Sequence, residues 1–177
     1  MKKSIPGTFA LLLFCLDVSM LFSFTTLGGK VPQELAGQWQ KGSFPMEEFF
    51  TFDGRTPSVA DSSCALSLSG DGQAELYLYL PSFDGACRSH TLAHVKGTVQ
   101  VNGDQLTLTA QSGEYRGVYD GGCGQHFERP MTPAEVRKYT FKLYWSRERR
   151  DGKDYLVTRS GADGNAAAAD LFSPARW

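Results

Sequence analysis

From residue 35 onward the hydrophobic positions recur every second residue, which is the patterning of half-buried strands rather than helices. Cys64, Leu66 and Leu68 share one face before the turn Ser69-Gly70-Asp71-Gly72. Gln73 to Leu80 then sets Ala74, Leu76, Leu78 and Leu80 against Glu75, Tyr77 and Tyr79. Arg88 to Val101 predicts a longer strand bent at Gly97, with Val95, Val99 and Val101 on one side and His94, Lys96, Thr98 and Gln100 on the other. Asn102-Gly103-Asp104 is a hairpin signal, and Gln105 to Gln111 returns with Leu106, Leu108 and Ala110 inward. A shorter strand is expected at Tyr115 to Tyr119. Lys138 to Arg147 places Tyr139, Phe141, Leu143 and Trp145 on one face, and after a charged turn Asp154 to Arg159 is the last expected strand. Glu47 to Phe52 also reads as a strand. Residues 120–137 read as a loop with one helical turn, because Thr132-Pro133-Ala134-Glu135 has capping-box spacing with proline at the first helical position.

Composition agrees with this picture. The 177 residues suit one domain, and 41% hydrophobic with 21% charged residues is ordinary for a folded chain. A formal net charge of −1 removes the electrostatic case for a nucleic-acid partner. The start is different in kind. Met1-Lys2-Lys3 followed by the apolar run Phe9 to Leu16 is the pattern of an export signal, which we place at residues 1–28. Asp17 interrupts the run, so it makes a poor membrane span. The alternatives are an anchor through residues 9–24 or a lipoprotein at Cys15, in Leu12-Leu13-Phe14-Cys15. The expected organisation is therefore a signal at 1–28, a β domain at 35–160, and a flexible tail at 161–177, with a short helix at 166–171 as the alternative for the tail. The mature chain carries no membrane span in this reading, and its location is periplasmic or secreted.

About eight strands joined by short turns predict an all-β fold, an antiparallel up-and-down barrel with one short helical turn. At Leu35-Ala36-Gly37-Gln38-Trp39 the chain carries G-x-W at its first strand and resembles the lipocalin and wider calycin barrels, in particular lipocalin-like barrels exported by bacteria. The resemblance implies eight strands, an interior open at one end, a floor formed at Gly37 and Trp39, and an arginine after the last strand stacked on the tryptophan; Arg159 is the candidate. The family's second motif, T-D-x-x-Y, is missing, with Phe127-Glu128-Arg129-Pro130 in its region.

The chemistry-bearing residues are few. With Cys15 in the leader, Cys64, Cys87 and Cys123 remain, and an up-and-down order puts all three near one rim without choosing the pair. Glycine-rich surroundings favour a Cys87–Cys123 disulfide, leaving Cys64 as a buried thiol. His90, His94, Cys123 and His126 suggest a metal, but on a strand His90 and His94 stand ~13 Å apart, so they read as exposed histidines on a polar face and no metal is expected. Cys123 beside His126 is no activated nucleophile if it is bridged. Glu47 and Glu48 point to opposite strand faces, and no hydrolase or nucleotide motif appears, so neither an enzyme nor a cofactor is expected. The basic run Arg137, Lys138, Lys142, Arg147, Arg149, Arg150 and Lys153 reads as a solvated face. Tyr77, Tyr79, Tyr115, Tyr119 and Tyr144 form a contact stripe, a cavity wall or plain core. The expected function is binding of a small, partly apolar ligand at the open end. The alternative is a protein-binding module such as a periplasmic inhibitor of a secreted hydrolase. Large inward side chains at Phe141, Leu143 and Trp145 separate the two, since a carrier needs an empty interior.

Overall fold

The computed structural model describes residues 30–50, 61–84, 87–119, 126–161 and 169–177. The export segment expected at 1–28 lies outside them. The strands are β1 (Gly37–Lys41), β2 (Ser63–Leu68), β3 (Gln73–Asp84), β4 (Cys87–Asn102), β5 (Gln105–Tyr119), β6 (Phe127–Pro130), β7 (Phe141–Arg150), β8 (Lys153–Arg159) and β9 (Asp170–Pro174), with short helices α1 (Met46–Phe50) and α2 (Pro133–Arg137). They form one antiparallel nine-stranded sheet in the order β4-β3-β2-β1-β9-β8-β7-β5-β6, in which β4 also pairs with β5.

This corrects the lipocalin-like up-and-down barrel of about eight strands. The expected first and last strands do not meet. Part of the tail expected to be flexible forms β9, which pairs with β1 on one side (Trp39↔Pro174) and β8 on the other (Leu156↔Phe172). The physical reason is the pair Leu171-Phe172: Phe172 is buried in the core, which holds the segment that the alanine-rich stretch before it made look floppy. A second unexpected strand, β6, lies within the segment read as loop. Its register runs from Glu114↔Pro130 to Gly117↔Phe127, while the near end of β5 pairs with β7, from Gln105↔Tyr144 to Leu108↔Phe141. One edge of β5 thus serves two neighbours, and residues 109–113 between them have neither. Of the strand expected at 47–52, residues 51 and 52 lie outside the described residues, and residues 47–50 belong instead to α1. Pro45 at its start and acidic Glu47 in its first turn are helix-start signals, and the Phe49 amide donates to the Pro45 carbonyl at 2.9 Å. The capping box of α2 forms as its spacing implies: the Glu135 amide donates to Thr132 Oγ1 and the Thr132 amide to the Glu135 carboxylate.

Where the sequence predicts a bend at Gly97, the structure shows an irregularity in the β4–β5 pair, with Gln111 of β5 left over. The β4–β5 register shifts between Lys96 and Gly97, and a Cβ there would stand 2.2 Å from the Thr109 carbonyl oxygen. Only glycine lets β5 approach that closely.

Two hydrophobic clusters lie on opposite faces of β2–β4. The larger gathers Trp39, Leu66, Leu76, Val95, Leu106 and Leu156 with their neighbours, and Phe141 and Trp145 pack against it. The smaller gathers Ala65, Tyr77, Tyr79 and Leu92 beneath Phe44 and Phe49, which come from α1 and the residues before it. Strands buried on both faces lose the simple apolar–polar alternation, because their second face must also exclude water.

Trp39 anchors the larger cluster. Its ring is 4% exposed, and its indole N–H donates to the Leu35 carbonyl at 2.9 Å. The guanidinium over the ring belongs to Arg147, 4.7 Å from the centroid, and not to Arg159. Arg159 reaches instead to Glu148 at 3.3 Å and Ser146 at 3.5 Å. The expected arginine was one strand too late: Arg147 is on β7 and also donates to the Glu34 carbonyl, which brings it above the indole. Gly37, which opens β1, has φ +137°, a conformation glycine adopts readily, although the nearest atom to a Cβ there is 4.0 Å away. Its role is therefore backbone conformation rather than close approach. Trp39→Ala is expected to cost about 3–5 kcal/mol through cavity formation, and Arg147→Ala about 0.5–2 kcal/mol. Arg159→Ala is expected to cost less than Arg147→Ala. Urea melts of the three variants check the ranking.

Candidate functional site

The alternation of β3 and the pairing of β4 put a row of polar and aromatic side chains on the face opposite Trp39. Tyr77 stands opposite His94, which stands opposite Glu114; one step along, Tyr79, Leu92 and Arg116 form the next row. His94 stacks on Tyr77 with centroids 4.4 Å apart and planes 9° from parallel, and Phe49 presents its edge to His94 at 5.5 Å. His94 Nε2 is 2.8 Å from Glu75 Oε2, and Nδ1 is 3.6 Å from Glu114 Oε1. Arg116 contacts Glu114 at 3.2 Å and Glu128 at 3.1 Å, and donates to the Phe49 carbonyl at 3.2 Å. It therefore ties α1 to the sheet. Tyr79 and His90 share a hydrogen bond of 2.6 Å nearby.

Charge and burial tune this row. Burial pushes Glu75 up, but hydrogen bonds from Tyr77 and His94, with the charges of His94 and Lys96, outweigh it and hold the carboxyl below its ordinary value. Burial, and then the hydrogen bond and charge of Glu75, push the Tyr77 hydroxyl well up.

Two open pockets flank residues 109–113 of β5, which pair with β4 on one edge and with neither β6 nor β7 on the other. One, of about 400 Å³, is lined by His94, Lys96, Ser112, Gly113, Glu114, Glu128, Arg129 and Pro130. The other, of about 370 Å³, shares Ser112, Gly113 and Pro130 and continues to Met131 and Val136 beside α2. The expected carrier of a small, partly apolar ligand at an open barrel end is corrected: Phe141 and Trp145, expected inward, pack against the core.

Exposed apolar surface collects elsewhere, at the far end of β3, β4 and β5. Phe83 is 69% exposed, Tyr119 41% and Leu80 39%. The Arg88 guanidinium lies 4.3 Å over the Phe83 ring, and Tyr119 and Phe127 rings are 5.8 Å apart. Register places Ser82, Ser89 and Tyr119 in one row, two residues beyond the row of Leu80, Thr91 and Gly117. Among the described residues β2 accompanies β3 only as far as Ser63↔Tyr79, so the segment from Leu80 runs on without that neighbour. Pro81 in it has no amide to offer another strand, a feature of protected edges.

The structure redistributes the sequence candidates. His90 and His94, expected to be exposed, are 2% and 7% exposed, because α1 and the tyrosines close over them. His126 is exposed. Of the tyrosines, Tyr77 and Tyr79 are core, Tyr115 and Tyr139 share a 2.9 Å hydroxyl contact, Tyr144 accepts from Gln105, and Tyr119 alone is exposed. Among the described residues no group of three or more His, Cys, Asp or Glu could hold a metal ion. In the basic run, Arg147 covers Trp39 and Arg150 pairs with Glu148 at 2.6 Å. Cys64 is a free thiol. No disulfide joins two described residues, so the expected bridge is not part of the described structure: Cys87 is not a free thiol, and Cys123 lies outside the described residues. Sequence reasoning missed the role of Phe49, Arg116 and Glu75; the Pro45-to-Glu47 start of α1 was the signal that could have found the first.

Burial raises the Cys64 thiol to about 11, with Lys41 opposing and Asp170 adding to the rise. At pH 8 its alkylation by iodoacetamide is expected to be roughly a hundredfold slower than that of an unburied thiol. The rate should recover in denaturant. For Glu75 the folded pKa lies below the unfolded one, so its contribution is present above the ordinary glutamate range and is lost as pH falls through the folded value. Glu75→Gln should therefore lower Tm at pH 7, with the difference from wild type shrinking towards pH 3; thermal melts across that range check it.

No family model matches the chain, and no curated protein matches it. Among solved structures, it is similar to the lipoprotein YedD from Klebsiella pneumoniae subsp. pneumoniae MGH 78578, at 10% identity over 85% of this chain and 80% of that one, with a TM-score of 0.38.

Proposed function

We propose that this chain is an exported protein-binding module that makes contact through the end of the β3–β4–β5 ribbon. The supporting observation is the exposure there of Phe83 and Leu80 on β3 and Tyr119 on β5, the two strands that flank β4. Water contact at such side chains is unfavourable, and aromatic residues are the usual anchors of protein interfaces. Phe83 and Leu80 lie on opposite faces of β3, so the ribbon end is apolar on both sides and suits a concave partner better than a flat one. Pro81 turns recognition towards side chains and away from strand addition. An inhibitor of a secreted hydrolase, whose substrate cleft is concave, is the form of this reading we favour. Export rests on Lys2, Lys3 and the apolar run behind them. Among the described residues no helix is long and apolar enough to cross a membrane.

The experiment is affinity capture from periplasmic extract with wild type and with a Phe83→Glu, Tyr119→Glu double variant. Both positions are exposed, so the variant should keep the wild-type Tm. The expected result is a hydrolase enriched by wild type, lost with the variant, and inhibited when the purified pair is mixed. Equal capture by both proteins, or a captured enzyme that is not inhibited, overturns the inhibitor reading.

A further inference from the structure

We infer that the pocket of about 400 Å³ beside His94 binds a neutral, polyhydroxylated ligand, a sugar rather than an ion or a lipid. Its volume is within the small-molecule range. The argument rests on how its charges are already paired. Glu114 faces Arg116 at 3.2 Å and His94 at 3.6 Å, and Glu128 faces Arg116 at 3.1 Å. Arg129 is taken by Glu135 at 2.8 Å, and Lys96 stands opposite Glu75 across the β3–β4 pair. An ionic ligand must break one of these pairs or bring an uncompensated charge against it, and either carries a desolvation cost. An apolar ligand strips water from the same groups without replacing its hydrogen bonds.

A hydroxyl-rich ligand meets neither obstacle. A carboxylate has about four acceptor sites, so one held by a guanidinium still accepts from a hydroxyl. Lys96 and the Ser112 hydroxyl are both exposed at the pocket and donate in return. A vicinal diol donates and accepts at once, which is the pattern these walls offer. The floor is fixed. A Cβ at Gly113 would stand 2.5 Å from Met131 Sδ and 2.8 Å from the His94 carbonyl oxygen, so the backbone is closely seated, and the Met131 amide donates to the Gly113 carbonyl at 2.8 Å.

The test is an amide-resolved NMR titration of the full chain with maltose and cellobiose, with glucosamine and glucuronate as charged comparators. Saturable shifts are expected at Ser112, Gly113 and Glu114 with a neutral disaccharide at a Kd of about 1–10 mM, and binding of either charged sugar should be at least about tenfold weaker. Glu128→Ala and Lys96→Ala, at exposed positions, should each keep a dispersed spectrum and weaken binding at least about fivefold. The second variant keeps the test intact if the first unfolds. Absence of saturable shifts with both neutral sugars, equal binding of a charged one, or shifts confined to the ribbon end overturns the inference.

Discussion

The larger side of this sheet is organised about one buried indole. A tryptophan in the interior brings a donor that must be satisfied, and Trp39 finds it in the Leu35 carbonyl, four residues back. That bond fixes the path of the chain as it enters β1. Arg147 then closes over the ring from β7 while bonding to the Glu34 carbonyl. One side chain therefore couples the entry segment, the first strand and a strand more than a hundred positions away. Leu66 and Pro174 stand opposite Trp39 on its two sides, so both neighbouring strands are set against the same residue.

The other face follows a different rule. Aliphatic side chains there would bury area without direction. Tyr77, His94, Glu75 and Arg116 bury area and also fix angles and partners. Burying such groups is tolerable only because each is bonded. A five-residue helix has little stability of its own. What positions α1 is the edge of Phe49 on His94 and the bond from Arg116 to its carbonyl. The neighbouring pocket inherits its paired charges from the same residues.

The all-β class, most strand positions, a special role for Gly97 and the capping box at Thr132 were legible because local patterning decides them. Alternation reports a strand that is wet on one face, as between Gln105 and Ala110. It fails where both faces are dry: Tyr77, Tyr79, His90 and His94 occupy positions that read as outward and are buried under a helix the local pattern did not signal strongly. It also fails for order between strands. Leu171-Phe172 is too short an apolar signal to announce β9, and only its meeting with β1 and β8 makes it a strand. The arginine on Trp39 illustrates the same limit, since the resemblance points to Arg159 after the last expected strand and the fold brings Arg147 over the ring instead. Of the candidate sites, exposed Tyr119 was named from sequence, while Phe83 and the polar pocket depend on which surface the fold leaves open.

The pairing of β9 with β1 also has a kinetic consequence. Gln38 and Trp177 exchange two hydrogen bonds across 139 positions of sequence. Hairpins such as β3–β4 and β7–β8 close short loops and can form early. The β1–β9 seam closes a loop nearly as long as the domain, and that entropy must be met before its contacts repay it. Folding should therefore have a local stage, in which the hairpins assemble, and a late step that docks both ends of the domain around Trp39. Until that step the chain holds adhesive strands without a finished core.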